Sequence, residues 1–344
     1  MYKADRTRRR VVVHGVFMSM STMAYLGIDV AKRKVDVALL RPDGKVRSKA
    51  VLNTTAGAAE LLAWVARYHD GPVHACLEAT GTYGLALAEA LADAGYVVSL
   101  VNPARIAAYA RSRLTRSKTD AVDARLIAEF CAKETPPRWV PPSPEIRALQ
   151  AWVRRLDALD QMRTQELNRL AAEPADAAVR ASIQHVVDPL EDEMQTLRAR
   201  IHDHFDAHPG LRAQRDLLTS IPGIGQATAA VLLAEFGGLT QFRHAAACAA
   251  YAGLVPQHRE SGTSVRHKPV LSKLGVPLLR KALFYPAMVA LRFNPIIVAF
   301  GERLRQKGKH KMVVIGAAMH KLVHLAYGVL KTGKAFDPKY RLVP

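Results

Sequence analysis

The chain has 344 residues, 49% of them hydrophobic, which is enough for two or three packed domains and makes it globular. Its 49 Lys and Arg against 30 Asp and Glu leave a formal net charge of +19, an excess that calls for a polyanionic partner. Cys76, Cys131 and Cys248 lie far apart with no CxxC pair, which excludes a disulfide framework and a cysteine zinc site and fits a reducing cytoplasm.

Residues 1–22 are basic, then mildly apolar, without the long apolar core of a signal peptide. They are expected to form a disordered extension. From Tyr25 the pattern changes. YLGIDV, VDVALL and Lys45–Leu52 are three strand-like runs separated by a polar AKRK turn and by Asp43-Gly44, which predicts an antiparallel meander. Ala56–Tyr68 has the spacing of an amphipathic helix. VHACLEATG is a strand that ends in a Gly-containing loop, Tyr83–Ala94 is helical, Gly95 fits a helix C-cap, and YVVSLV is a further strand. The order β-β-β-α-β-α-β followed by a helix is that of an α/β RNase H-like domain over 23–134.

The Pro-rich stretch 135–144, TPPRWVPPSP, predicts a stiff linker. Over 145–208, Ile146, Leu149, Val153 and Leu156 keep 3-4 spacing, as do Ile183, Val187, Leu190, Met194, Leu197 and Ile201, with Pro174 between. This predicts a central helical coiled-coil region, a hairpin that packs on its own domain or on a second copy. Residues 209–335 form a third, mostly α-helical domain, with 336–344 a tail. There SIPGIGQATAAVLLAEFG has the Gly-rich turn of a helix-hairpin-helix, whose backbone N–H groups can meet a phosphate. No uninterrupted apolar run approaches the length of a membrane span, and no membrane partner is expected.

Four carboxylates carry the chemistry. Asp29 sits inside an apolar strand, where a charge is costly unless something pairs with it. Glu78 stands near the end of another strand. Asp120 and Asp123 share one face of a helix through their i, i+3 spacing. If these elements converge, their oxygens suit Mg²⁺, and two such ions can hold both the attacking and leaving oxygens of a phosphoryl displacement. Next to them the basic residues Arg105, Arg111, Arg113, Arg116 and Lys118 run without an acid, with Tyr109 interleaved. With Lys32, Arg33 and Lys34 they suit a phosphate backbone. In the third domain Ser261 lies among Arg259, Arg266, His267, Lys268 and Lys273; it is either a turn residue or a nucleophile whose developing charge the cations stabilise.

The segments YLGIDVAKRKVDVAL, LEATGTYG, NPARIAAYARSRLTRSKTDAVDARLIA, PGIG and YAGLVPQHRESGTSVRHKPVLSKLGVPLLRKAL occur in the order found in IS110-family transposases. The resemblance runs from Tyr25 to about residue 332. It implies a RuvC-like first domain whose Asp-Glu-Asp-Asp metal site falls on Asp29, Glu78, Asp120 and Asp123, with Mg²⁺ as cofactor. It also implies a serine nucleophile at Ser261 in a C-terminal transposase domain, and a phosphoserine-linked intermediate. The expected partners are donor and target double-stranded DNA, a structured non-coding guide RNA that reads sequence by base pairing, and further copies of the chain as dimer and tetramer. A bacterial cytoplasmic, nucleoid-associated transposase follows. The competing expectation is a Mg²⁺-dependent endonuclease, similar to a Holliday-junction resolvase, that uses water and needs no Ser261.

Overall fold

A computed structural model describes residues 11–13, 16–18, 22–79, 83–113, 120–172, 176–237, 242–257, 260–261, 265–266, 270–272 and 274–339. The chain divides into two compact units, Met1–Pro141 and Pro142–Pro344, and the boundary falls inside the Pro-rich stretch.

The first unit opens with a short antiparallel hairpin, β1 (Val11–Val13) with β2 (Val16–Met18). It lies within the stretch expected to be an extension, where Val-rich runs favour strand pairing even when short. A five-stranded sheet follows. Its strands are β3 (Ala24–Val30), β4 (Lys34–Leu40), β5 (Val46–Leu52), β6 (Val73–Glu78) and β7 (Val97–Val101), in the order β5-β4-β3-β6-β7. The first three form the antiparallel meander, and β6 and β7 add in parallel beside β3. Parallel pairing needs crossovers, supplied here by α1 (Thr55–Tyr68) and α2 (Leu85–Asp93). The Thr54 hydroxyl accepts from Gly57 N and starts α1.

Alternation splits the sheet into two faces. Leu26, Ile28, Val35, Val37, Leu39, Ala75 and Leu77 form one core with Leu61, Val65, Leu87 and Leu91 of α1 and α2. On the other face Cys76 and Val101 pack with Ile106 of α3 (Pro103–Ser112) and Leu126, Ile127, Phe130 and Cys131 of α4 (Asp120–Glu134). This mixed α/β unit is compatible with an RNase H-like fold.

The second unit is mostly helical. α5 (Pro144–Ala172) and α6 (Ala177–Ala207) run antiparallel: His204 Nε2 meets Glu145 O at 2.9 Å, and Arg163 reaches Glu191 at 3.2 Å further along. The predicted residues Ile146, Leu149, Val153, Val187, Met194, Leu197 and Ile201 are buried, while Leu167 is exposed. The base of this hairpin shares one core with α7 (Pro209–Thr219), α8 (Gln226–Phe236), α9 (Ala245–Tyr251), α10 (Pro277–Phe293), α11 (Pro295–Gln306) and α12 (Lys311–Thr332). The PGIG turn joins α7 to α8. Gly223 has φ of +108°, and a Cβ there would stand 2.8 Å from Pro286 O, so glycine is required twice over. By length and mean composition α12 is apolar enough to cross a membrane, but His320, Lys321 and His324 interrupt it, so it is not an uninterrupted apolar run. Most of that stretch is buried in the unit's own core, as in a soluble core helix.

Candidate active site

The sheet register sets the carboxylates. Pairing of β3 with β6 runs to Ile28↔Leu77, and the next residue on each strand is Asp29 and Glu78. They therefore leave the same face of neighbouring strand ends, and both are half-buried. On β4 the residue directly opposite Asp29 is Asp36. It shares that face and is only 9% exposed, with Lys34 Nζ 2.9 Å from its Oδ2.

Helix α4 covers this face because Gly27 lets it approach. A Cβ on Gly27 would collide with Ala124 O and Ala128 N. At the other end of the helix, Cys131 Sγ donates to the carbonyl of His74, which is level with Tyr25. So α4 runs opposite to β3, and its first turn, Asp120 to Asp123, arrives at the Asp29–Glu78 end of the sheet. Asp123 is half-buried; the Asp120 side chain lies outside the described residues. Among the described residues, no three His, Cys, Asp or Glu side chains stand close enough to hold a metal ion together. The donors gathered at this end are all carboxylates, a hard oxygen set whose chemistry fits a divalent cation.

Two loops leave the site, one after Asp29 and one after Glu78, and one side chain ties them. Asn53 Nδ2 donates to Ala31 O and to Tyr83 O, each at 3.0 Å. Neither Asn53 nor Asp36 stood out in the sequence. Asp36 carried the same signal as Asp29, a charge between β-branched aliphatic residues, while Asn53 carried none beyond a polar residue at a turn.

The basic stretch is divided. Arg105 stacks its guanidinium 5.4 Å over the Phe130 ring, and Arg113 pairs with Glu129 at 3.4 Å, so both are engaged by the unit's own residues. The Tyr109 ring meets Phe130 edge-on. Arg111 and Lys32 are exposed. Arg116 and Lys118 lie outside the described residues, as do Arg259, Lys268 and Lys273.

In the second unit Ser261 is on a strand rather than in a simple turn. β9 (Glu260–Ser261) pairs antiparallel with β10 (Val265–Arg266), matching Ser261 with Val265 and Glu260 with Arg266. Further down, β8 (Pro256–Gln257) pairs with β11 (Val270–Leu271). Ser261 and Arg266 thus belong to a short β-arm of the second unit.

Residues 26–173 match a transposase family, and residues 215–302 match the transposase IS116/IS110/IS902 family. The pilin gene-inverting protein of Moraxella bovis is 34% identical over 318 residues, covering 92% of this chain and 98% of that protein. The transposase for insertion sequence element IS1111A of Coxiella burnetii is 26% identical over 308 residues, 80% of this chain and 79% of that protein. A probable family 20 transposase of Pseudomonas aeruginosa is 31% identical over 250 residues, 63% and 72%. Fold and relatives together define a DNA transposase or recombinase. The chain belongs to the IS110 family of transposases, whose first-domain match points to use of a divalent metal.

Proposed function

We propose that the protein cuts and rejoins the donor and target DNA of an insertion sequence through a serine-linked intermediate, guided by a structured non-coding RNA. The observation that carries this reading is the meeting of Asp29 and Glu78 on adjacent strand ends with the first turn of α4, brought there by the Gly27 contact. Asp29, Glu78, Asp120 and Asp123 would hold Mg²⁺, two ions by the usual count for phosphoryl transfer. When bound, the ions supply charge neutralisation at the scissile phosphate. The nearness to a pilin gene-inverting protein supports a reaction that rejoins strands rather than one that only cuts.

In this reading Ser261 Oγ attacks the phosphorus. An O–P bond to serine forms, the P–O bond to the leaving deoxyribose oxygen breaks, and that oxygen takes a proton. A strand-end hydroxyl then attacks the phosphoserine, a new phosphodiester forms, and the serine hydroxyl is restored. The cations near Ser261 in sequence, Arg259, Arg266, Lys268 and Lys273, stabilise the developing charge. Lys32, Arg111, Arg116 and Lys118 grip the backbone, with Arg105 and Arg113 beside them.

The working parts are a RuvC-like catalytic domain over 23–134, a linker over 135–144, a coiled-coil region over 145–208 that joins copies into dimers and tetramers, and a transposase domain over 209–335. The PGIG turn of a helix-hairpin-helix offers backbone N–H groups to phosphate. Base pairing by the RNA leaves the protein to hold backbones, which agrees with a net charge of +19 and with action at the bacterial nucleoid.

Strand transfer on paired donor and target DNA, with Mg²⁺ and the non-coding RNA, tests the reading. Wild type joins strands, while Asp29→Asn and Ser261→Ala do not. If Ser261→Ala cuts at the wild-type rate and only Asp29→Asn is dead, the protein is a hydrolytic nuclease similar to a junction resolvase.

A further inference from the structure

Asp36 is buried in the row of carboxylates and has no part in the chemistry above. Along β4, Lys34, Asp36 and Ala38 alternate onto the face that Gly27 and Asp29 share, while Val35 and Val37 enter the opposite core. Asp36 lies one strand from Asp29 and two from Glu78. Its partner Lys34 is different in kind: the lysine side chain is 49% exposed, so a buried acid holds the ammonium of a surface residue beside the site.

A half-exposed ion pair adds little stability alone, since solvent screening and side-chain entropy offset most of its Coulomb energy. A pinned cation has another use. Lysine is a compact charge on a flexible four-carbon stem, and gripping a phosphate with it costs side-chain entropy. Part of that cost is already met when a carboxylate fixes the ammonium beforehand. Arg105 and Arg113 are also held, but by an aromatic ring and a surface glutamate on α4, not by a residue of the carboxylate row.

We propose that Lys34 contacts a backbone phosphate of the DNA next to the scissile one, and that Asp36 is its positioning residue. The inference rests on the reading that DNA approaches the Asp29–Glu78 end of the sheet. Lys34 is exposed like its neighbours Lys32 and Arg33, but it enters the site with its head group already placed by Asp36.

Binding of the full-length protein to duplex DNA is measured in EDTA, between about 50 and 200 mM salt, so that neither metal loading nor cutting is read. Lys34→Met is expected to weaken binding and to make the log–log salt dependence shallower by about 0.9, the amount of one phosphate contact. Lys34→Arg retains the slope. Asp36→Asn keeps the lysine charge but frees it. In a separate assay with Mg²⁺ and RNA it lowers cleavage of saturating DNA by about ten-fold, and Asp36→Glu restores part of the rate. Thermal melting of each variant identifies those that merely unfold. Wild-type affinity and slope in folded Lys34→Met would reduce the pair to a structural staple and overturn the proposal, as would wild-type cleavage by Asp36→Asn. Binding in EDTA includes no covalent step, so failure of the serine mechanism leaves the Lys34 result intact.

Discussion

Gly27 and Ala124 touch backbone to backbone: the space where a Cβ of residue 27 would stand is filled by Ala124 O. Strand β3 and helix α4 are thereby locked at the point from which Asp29 and Asp123 both reach the site, two residues beyond Gly27 on the strand and one before Ala124 on the helix.

Gly27→Ala is therefore expected to destabilise the first unit by about 1–3 kcal/mol or more, because the collision is with backbone and no rotamer relieves it. Strand transfer falls further than stability does, since α4 must shift and carries its two aspartates with it. Thermal melting paired with cleavage at a temperature where the variant is folded separates the two effects. Full activity in a folded Gly27→Ala protein would show that the close approach does not set the site.

Asn53→Ala removes two hydrogen bonds, those to Ala31 O and Tyr83 O, and should cost about 1–2 kcal/mol. Asn53→Asp is expected to be worse, because a carboxylate cannot donate and would face two carbonyl oxygens. The order wild type, Ala, Asp in both melting temperature and cleavage rate checks the role; an Asp variant better than the Ala variant contradicts it.

His74 gives the first unit a pH dependence. Its Nε2 is 2.8 Å from Ser99 Oγ, and that hydroxyl reaches Pro136 O and Pro137 O of the linker. Burial pushes the imidazole down to about 4 from its ordinary 6.5. A base with a lowered folded value is stabilising when neutral. Its contribution is complete above pH 6.5 and is lost as pH falls from 6.5 to about 4, on the order of 3 kcal/mol in all. The measurement is urea unfolding from pH 7 to 4, in which His74→Gln should flatten that part of the profile.

Glu235 is the buried acid of the second unit, with a side chain 3% exposed, and Arg154 grips it with two bonds of 2.9 and 3.2 Å. Arg154→Met leaves that carboxylate buried without its cation and should cost about 3 kcal/mol. Adding Glu235→Leu should recover most of the loss. No recovery in the double variant would mean that packing of the arginine stem, not charge, holds α5 to α8.

The elements that repeat were legible in the sequence: the three-strand meander, the crossover helices and the 3-4 spacing of α5 and α6. Asp29 and Glu78 could be singled out as charges among apolar strand residues. Their neighbourhood could not be read, because nothing local says that β6 inserts in parallel beside β3 or that Asp36 falls opposite Asp29. The β-arm around Ser261 is built from strands of two residues, too short for any period, so it passed for a loop. Pro189 and Pro286, normally breakers, sit inside α6 and α10.

The central claim is a covalent serine–DNA step, and the most direct measurement is a denaturing gel of end-labelled donor DNA after reaction with Mg²⁺ and RNA, run with and without protease. Wild type is expected to give a slow band that protease collapses and that is absent in Ser261→Ala and Asp29→Asn. Cut strands without any protease-sensitive band, formed equally by Ser261→Ala, would contradict it.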